Sequence, residues 1–323
     1  MFVKVACPIQ SITPLRMKIL ISEFMDQRAV AQLAARHDVE YAPTLVDDMP
    51  ALIRQASLAD ALIVRNRTQV RGELLAALTR CKVIGRLGVG LDNIDLPGCE
   101  ARGMKVIPAT GANALSVAEY VISASMMLLR GVFTSTAAVA SGNWPRNALG
   151  NGRETAGKIM GIIGFGSIGR TTARLAQGLG MQVIAFDAML DADTPVFQQT
   201  GVKYVGLPQL IRQADVVTLH VPLVDATRGL FDAKKIASMK PGAILVNTSR
   251  GHIVDLSAVA ASLRSGHLGG AAIDVFDTEP LAAGSALQDC PGLLLTPHIS
   301  GVSAESNERV SLLIADKVLE VLH

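Results

Sequence analysis

Ile159-Met-Gly-Ile-Ile-Gly164-Phe-Gly166-Ser-Ile-Gly169-Arg170, continuing to Gln182-Val-Ile-Ala-Phe-Asp187, is the stretch whose reading decides the fold. An apolar run, 159–163, stops at Gly164-x-Gly166-x-x-Gly169 and gives way to a helix-compatible segment over 170–179. A second apolar run, 182–186, ends in Asp187. Each glycine has its own task at this spacing. The first turns the chain tightly, the second admits a pyrophosphate close to the backbone, and the third lets helix pack on strand. The helix that follows offers free N–H groups and a positive dipole end to phosphates. A carboxylate placed like Asp187 can accept from both ribose hydroxyls. A glycine triplet alone is a common accident of composition. Strand before, helix after and acid at this offset together predict a dinucleotide-binding βαβ unit.

Working outward, short apolar runs alternate with helix-compatible segments along the rest of the chain. Upstream, strands are expected over 18–21, 39–41, 61–64, 83–85 and 104–107, with helices over 26–35, 49–56 and 72–78. Downstream, strands are expected over 216–219, 243–247, 270–274 and 293–295, with helices over 207–213, 233–238 and 256–264. Such alternation argues for parallel sheets with helices on both faces, an α/β protein. A long apolar helix is expected over 114–129, the glycine-rich 141–153 reads as a loop or arm, and 304–322 reads as a returning helix. Gly88-Val-Gly90 is a second glycine turn without a third glycine or a following acid, so it reads as a loop.

Composition agrees. The 323 residues are 50% hydrophobic and only 4% aromatic, with 29 glycines, which suits aliphatic parallel strands and a length of two domains. A formal charge of +2 gives no basis for nucleic-acid or membrane binding. The four cysteines (Cys7, Cys81, Cys99, Cys290) have no CxxC or metal spacing, so reduced thiols in a cytoplasmic protein and no metal site are expected. Residues 1–16 lack a signal-peptide core and read as an N-terminal extension outside the fold.

Three short segments follow predicted strands, where open α/β sheets place their ligands: Asn247-Thr-Ser-Arg250-Gly251, Asp274-Val-Phe-Asp-Thr-Glu279-Pro280 and Thr296-Pro-His298. Arg250 has a planar fork that suits a carboxylate, though a surface arginine is the commoner case. Glu279 before proline is more often a solvated loop acid, and His298 after proline more often a satisfied loop histidine. Their shared location beside a nucleotide cradle outweighs those plainer readings.

These motifs, with Leu87-Gly-Val-Gly-Leu-Asp-Asn-Ile-Asp95, Asn113-Ala-Leu-Ser-Val-Ala-Glu119 and His220-Val-Pro-Leu223, make the chain from Met17 onward resemble the D-isomer-specific 2-hydroxyacid dehydrogenases, the family of phosphoglycerate, glycerate and D-lactate dehydrogenases. The resemblance implies two Rossmann-like doubly wound domains with a cleft between them. Residues 17–113 and 299–323 would form the substrate-binding domain and 114–298 the NAD-binding domain. It implies a catalytic triad of Arg250, Glu279 and His298. His298 would exchange the hydroxyl proton, Glu279 would hold its tautomer, and Arg250 would grip the substrate carboxylate. Cofactor contacts would come from Gly164, Gly166, Ser167, Ile168 and Gly169, from Asp187 at the ribose, from His220, Thr248 and Ser249, from Asp274 at the nicotinamide carboxamide, and from Gly301. NAD is expected over NADP, because a 2′-phosphate would meet Asp187 with only Ala188-Met-Leu190 behind it.

Substrate selection is expected in the first domain, through the backbone N–H groups of Val89 and Gly90 and through Arg65-Asn66-Arg67. A solvated charge pair would explain these arginines, but two exceed what one carboxylate needs. They suggest a second anion, phosphate or sulfonate, at C3 of a small 2-hydroxy acid. The wording of 61–95 is also similar to that of sulfolactate dehydrogenases. A glyoxylate or hydroxypyruvate reductase is the alternative enzyme, and a formate dehydrogenase is disfavoured by the Glu279–His298 pairing. A cofactor-sensing corepressor-like protein is the alternative from another class, disfavoured by the lack of a long polar tail. The family is usually dimeric, so a homodimer is expected.

Overall fold

The computed structural model describes residues 15–132 and 135–323, so most of the expected N-terminal extension lies outside the described residues. The chain forms two compact units. One runs to Ala109 and takes in Val310–His323; the other is Thr110–Arg309.

In the first unit, β1 (Lys18–Ile21), β2 (Asp38–Tyr41), β3 (Ala61–Val64), β4 (Val83–Arg86) and β5 (Lys105–Pro108) form a parallel sheet in the order β2-β1-β3-β4-β5. β3 and β4 are buried along their whole length, as central strands covered on both faces must be. Val64 pairs with Arg86 in register, so the segments after β3 and β4 leave the sheet side by side. The helix Ala304–Leu322 contributes its C-terminal part to this unit. A Cβ at Gly85 would sit 2.7 Å from the Ile314 side chain, so β4 carries glycine where that helix presses on it.

The second unit is a seven-stranded parallel sheet of β6 (Ile159–Ile163), β7 (Gln182–Phe186), β8 (Lys203–Tyr204), β9 (Val216–Leu219), β10 (Ala243–Asn247), β11 (Leu268–Ile273) and β12 (Leu293–Leu295). Its order is β12-β11-β10-β9-β6-β7-β8. Counted from β6 this is the 3-2-1-4-5-6 order of dinucleotide-binding sheets, extended by one strand. Successive residues of β10 serve opposite cores. Leu245 packs with Leu210, Val259 and Leu263 on one face, while Ile244 and Val246 pack with Val121, Ala124 and Leu128 of the helix Ala114–Arg130 on the other.

The two compact units divide at 109/110 and 309/310. The cause is local. Arg309 Nε donates to the Ala112 carbonyl at 3.1 Å, and Gly301 lies against the Asn113 side chain, so these segments cohere with the second unit. Short helices at Leu96–Glu100, Thr136–Ala140 and Pro195–Thr200 and the two-residue β8 are additions to the expected elements. No helix among the described residues is long and apolar enough to cross a membrane.

Candidate active site

Register places the candidate residues of the second unit. Ile163 pairs with Phe186 and Leu219, Asn247 with Leu219 and Ile273, and Ile273 with Leu295. Gly164, Asp187, His220, Thr248, Asp274 and Thr296 are the residues immediately after those strand ends, so they line one edge of one sheet. β6 and β9 are neighbours whose following segments go opposite ways, which creates the crevice where such sheets bind ligands.

The glycine loop behaves as its spacing requires. Gly164 has φ +92°, and a Cβ there would lie 2.5 Å from the His220 carbonyl oxygen. A Cβ on Gly169 would lie 2.2 Å from the Gly164 carbonyl oxygen, so helix and strand meet there. Around Gly166 a Cβ would meet nothing within 4 Å. Gly166 is the N-cap of the helix Ser167–Gly178 and supplies no side-chain cap, which leaves the first-turn N–H groups, Ser167 and Ile168 among them, for another acceptor. Asp187 braces the loop. It accepts from Phe165 N at 2.7 Å through one oxygen and from Met189 N at 2.9 Å through the other. Further along the edge, the Thr248 hydroxyl is buried without a protein partner. An open glycine cradle, an uncapped helix start, an anchored carboxylate and an orphaned hydroxyl in one row fit a dinucleotide.

Ser249 is a positioning element: its hydroxyl donates to the Leu219 carbonyl at 2.6 Å and its N–H to Asn247 Oδ1 at 3.0 Å. His220 faces Thr218 Oγ1 through Nε2 at 3.1 Å, and burial pushes its pKa down to about 3, so the ring is neutral.

The structure brings Glu279 and His298 together. Glu279 Oε2 lies 2.8 Å from His298 Nδ1, while Oε1 accepts from Phe276 N at 3.1 Å. A carboxylate only accepts, so Nδ1 carries the proton and Nε2 of the neutral ring holds the basic lone pair. Arg250 projects from the end of β10, its Nη1 donating to the Ser249 carbonyl at 2.7 Å. A Cβ on Gly251 would stand 2.1 Å from the Phe276 carbonyl carbon, so the arginine loop is seated directly on the segment leading to Glu279. His252 and Asp277 form a second, looser pair beside it at 3.7 Å.

Asp274 was expected to face the nicotinamide. In this structure it is 0% exposed. Its carboxylate accepts from Thr296 Oγ1 (2.6 Å), Ile299 N (2.8 Å) and Ser300 N (2.9 Å), and its main-chain carbonyl accepts from His298 N (2.9 Å). Gly301 lies against Asn113, whose Oδ1 is buried without a partner.

In the first unit, sequence reasoning missed Glu23. This buried acid just beyond β1 accepts from the N–H groups of Arg65 (2.8 Å), Arg67 (3.1 Å) and Thr68 (3.0 Å), and so shapes the turn that carries the arginines. Arg67 is ion-paired with Asp47 on the surface, Asn66 is exposed, and Arg65 lies over the Phe24 ring with 5.9 Å to its centroid. Desolvation pulls the Arg65 pKa down from its usual value. Arg86, also missed, is buried at the end of β4 against Gly88, ahead of Val89 and Gly90. An arginine closing an otherwise apolar strand was the available signal.

Fold and site define a pyridine-nucleotide-dependent oxidoreductase with a histidine–carboxylate couple beside its cofactor cradle. Comparison specifies it further. The NAD-binding-domain profile of the D-isomer specific 2-hydroxyacid dehydrogenases matches residues 122–300. The chain is 52% identical over 304 residues to an (S)-sulfolactate dehydrogenase of Chromohalobacter salexigens, covering 94% of this chain and 98% of that one. It is 34% identical to a hydroxypyruvate reductase of Thermotoga maritima, over 95% and 99% of the two chains. A crystal structure of the TT0316 protein from Thermus thermophilus superposes with TM-score 0.86 at 31% identity, covering 95% of this chain and 97% of that one. The chain belongs to the D-isomer-specific 2-hydroxyacid dehydrogenases, and it is an NAD-dependent oxidoreductase of D-2-hydroxy acids and their 2-keto counterparts.

Proposed function

We propose that this enzyme interconverts a D-configured 2-hydroxy acid carrying a second anion at C3 and its 2-keto acid, with 3-sulfolactate the first choice and 3-phosphoglycerate the second. Two things support the choice of substrate: 52% identity over nearly the whole length to a sulfolactate enzyme, and guanidinium groups at the ends of β3 and β4 in the first unit. Handedness is consistent. A sulfomethyl group outranks carboxylate in the naming rules, so sulfolactate with the D-lactate arrangement is labelled S. The 34% identity to a hydroxypyruvate reductase supports glyoxylate or hydroxypyruvate reduction as the second reading.

The observation that carries the mechanism is the 2.8 Å contact between Glu279 and His298 Nδ1. NAD supplies the hydride chemistry. During oxidation His298 Nε2 accepts the hydroxyl proton, while Glu279 stabilises the imidazolium that forms; during reduction the same atom returns the proton. Arg250 holds the substrate carboxylate and draws charge toward the carbonyl oxygen. The cradle of Gly164, Gly166, Ser167, Ile168 and Gly169 holds the pyrophosphate, and Asp187 the ribose. His220, Thr248, Ser249, Asp274 and Gly301 complete the cofactor's surroundings. The first unit contributes selection through Val89 and Gly90 N–H groups and through Arg65, with Arg67 and Asn66 secondary. We place residues 17–113 and 299–323 as the substrate-binding domain and 114–298 as the cofactor domain.

Assembly as a homodimer is supported by the second unit. Met126, Met127, Val139, Trp144 and Leu149 are exposed there along one stretch of chain, Trp144 to 76%. Free Cys81 and Cys99 in buried positions suit a reducing cytoplasm.

The test is NADH oxidation with 3-sulfopyruvate, 3-phosphohydroxypyruvate, hydroxypyruvate, glyoxylate and pyruvate, in wild type and His298→Ala. Removal of a positioned acid/base is expected to lower kcat about 10²–10⁴-fold with NADH binding retained. Wild-type turnover in the variant would remove His298 from the chemistry.

A further inference from the structure

Three consecutive N–H groups in the segment carrying the imidazole, those of His298, Ile299 and Ser300, all donate to Asp274. His298 itself has φ +56°, a left-handed conformation that a non-glycine residue keeps only when its surroundings enforce it. Asp274 supplies that enforcement, so the direction of its carboxylate fixes where the ring stands.

That carboxylate is held in turn. Both oxygens face N–H donors, which makes them acceptors, so the Thr296 hydroxyl spends its only proton on Oδ1 at 2.6 Å. Thr296 Oγ1 lies 2.6 Å from the Tyr120 hydroxyl, and with its own proton committed it must accept there. Proton directions along the chain are therefore determined: Tyr120 donates to Thr296, and Thr296 donates to Asp274. Burial pushes the Tyr120 phenol up from its usual value, and this outweighs the opposing hydrogen bond, so the phenol stays a donor. Tyr120 lies on the helix Ala114–Arg130, whose Val117, Val121 and Leu128 are packed into the core of the same unit. A rigid element thus reaches the imidazole-bearing turn through two hydroxyls and one carboxylate.

We propose that Tyr120 and Thr296 are positioning residues for His298, acting through Asp274. The proposal rests on the reading of His298 as acid/base. The hydroxyls hold the turn at Asp274, Glu279 holds the ring at Nδ1, and together they fix both ends of the imidazole's orientation. Both hydroxyls are committed within the protein, Tyr120 to Thr296 and Thr296 to Asp274. Their loss should therefore appear in the chemical step and not in binding.

The experiment measures kcat, keto-acid KM, NADH Kd by fluorescence titration, and melting temperature. The variants are Thr296→Val, Thr296→Ser, Tyr120→Phe, Glu279→Gln, the Thr296→Val/Glu279→Gln double variant, and His298→Ala. A displacement of a reacting group by about 1 Å costs up to roughly a hundredfold. Thr296→Val is expected to lower kcat about ten- to a hundredfold with KM and Kd within about twofold, and Thr296→Ser to recover most of the rate. Tyr120→Phe keeps its ring and should lower kcat by a smaller factor, roughly three- to tenfold; it carries the test if Thr296→Val does not fold. Because both anchors act on one ring, the double variant should lose less than the product of the single losses. The proposal is overturned by wild-type kcat in Thr296→Val or Tyr120→Phe, by a Thr296→Ser variant as slow as Thr296→Val, or by losses that multiply fully. Full activity in His298→Ala would instead overturn the acid/base reading beneath it.

Discussion

Gly166 and Gly169 occupy one loop, yet alanine at the two positions should do different things. At Gly166 the backbone has φ −75°, which alanine accepts, and its Cβ would meet no protein atom within 4 Å. Reduced freedom in the unfolded chain favours Gly→Ala by about 0.4–1 kcal/mol at a compatible site, and the poorer N-cap offsets part of that. The melting temperature should therefore stay within about a degree or two of wild type. The methyl group would nonetheless enter the space in which we place the pyrophosphate. Losing one hydrogen bond to a charged group costs about 1.5–3 kcal/mol, which raises the NADH Kd roughly ten- to 150-fold. At Gly169 the added Cβ would lie 2.2 Å from the Gly164 carbonyl oxygen and 3.1 Å from Ile162 Cγ2. Backbone must move by about an ångström to admit it. Such overpacking costs about 1–3 kcal/mol, or a loss of several degrees in Tm. Thermal unfolding and NADH fluorescence titration of Gly166→Ala and Gly169→Ala read both quantities. Wild-type NADH affinity in Gly166→Ala would refute the placement of the pyrophosphate. Equal destabilisation by both variants would refute the packing argument.

Other expectations follow from single observations. NADH should be preferred to NADPH, since a 2′-phosphate about 4 Å from Asp187 is repelled by roughly 4 kcal/mol at an effective dielectric near 20. Asp187→Ala should narrow the preference while weakening NADH itself, because the Phe165 N–H loses its anchor; equal wild-type kinetics with both cofactors would refute this. Arg65→Ala should lower kcat/KM on 3-sulfopyruvate about ten- to a hundredfold more than on pyruvate, whereas Arg67→Ala, its charge already paired with Asp47, should change the ratio little. Equal losses on both substrates would make Arg65 structural. His220 has a depressed folded pKa, so its contribution to stability is complete above its unfolded value near 6.5 and is lost as pH falls toward 3. Over that window a His220→Asn variant should lose stability less steeply than wild type, by up to about 1.4 kcal/mol per pH unit, and parallel denaturant midpoints would refute it. On the proposed homodimer, Trp144→Ala should shift sedimentation toward monomer, and unchanged sedimentation would refute the exposed stretch as the interface.

Aliphatic strands buried on both faces announce themselves, and β3 and β10 were readable as apolar runs for that reason, β10 as far as its closing Asn247. The short helix Pro195–Thr200 was not. Thr194 and Pro195 at its start and Gly201 at its end were its only local signals, and its Phe197 stacks on Phe165 at 5.0 Å. Candidate site residues were readable for a related reason: each follows a strand, and parallel register aligns the strand ends. Partnerships made across the fold left no local mark. The Arg67–Asp47 pair, the grip of Glu23 on the 65–68 turn and the Tyr120–Thr296 contact join residues far apart in sequence.

Asp274 shows what such a partnership adds to a residue's role. A carboxylate at the end of β11, beside a nucleotide cradle, reads naturally as a ligand group. Folding encloses it, and a buried carboxylate left without donors would cost several kcal/mol. The cost is offset only if the chain brings N–H and O–H groups to it, and the 296–300 segment does so by taking a left-handed turn at His298. Hydroxyl, carboxylate and imidazole are therefore held as one structural unit. A neutral Asn at 274 would present an amide nitrogen to one of these donors and release the turn. On the proposed reading the imidazole's orientation depends on the Asp274 carboxylate, which Thr296 and the N–H groups of Ile299 and Ser300 hold in place.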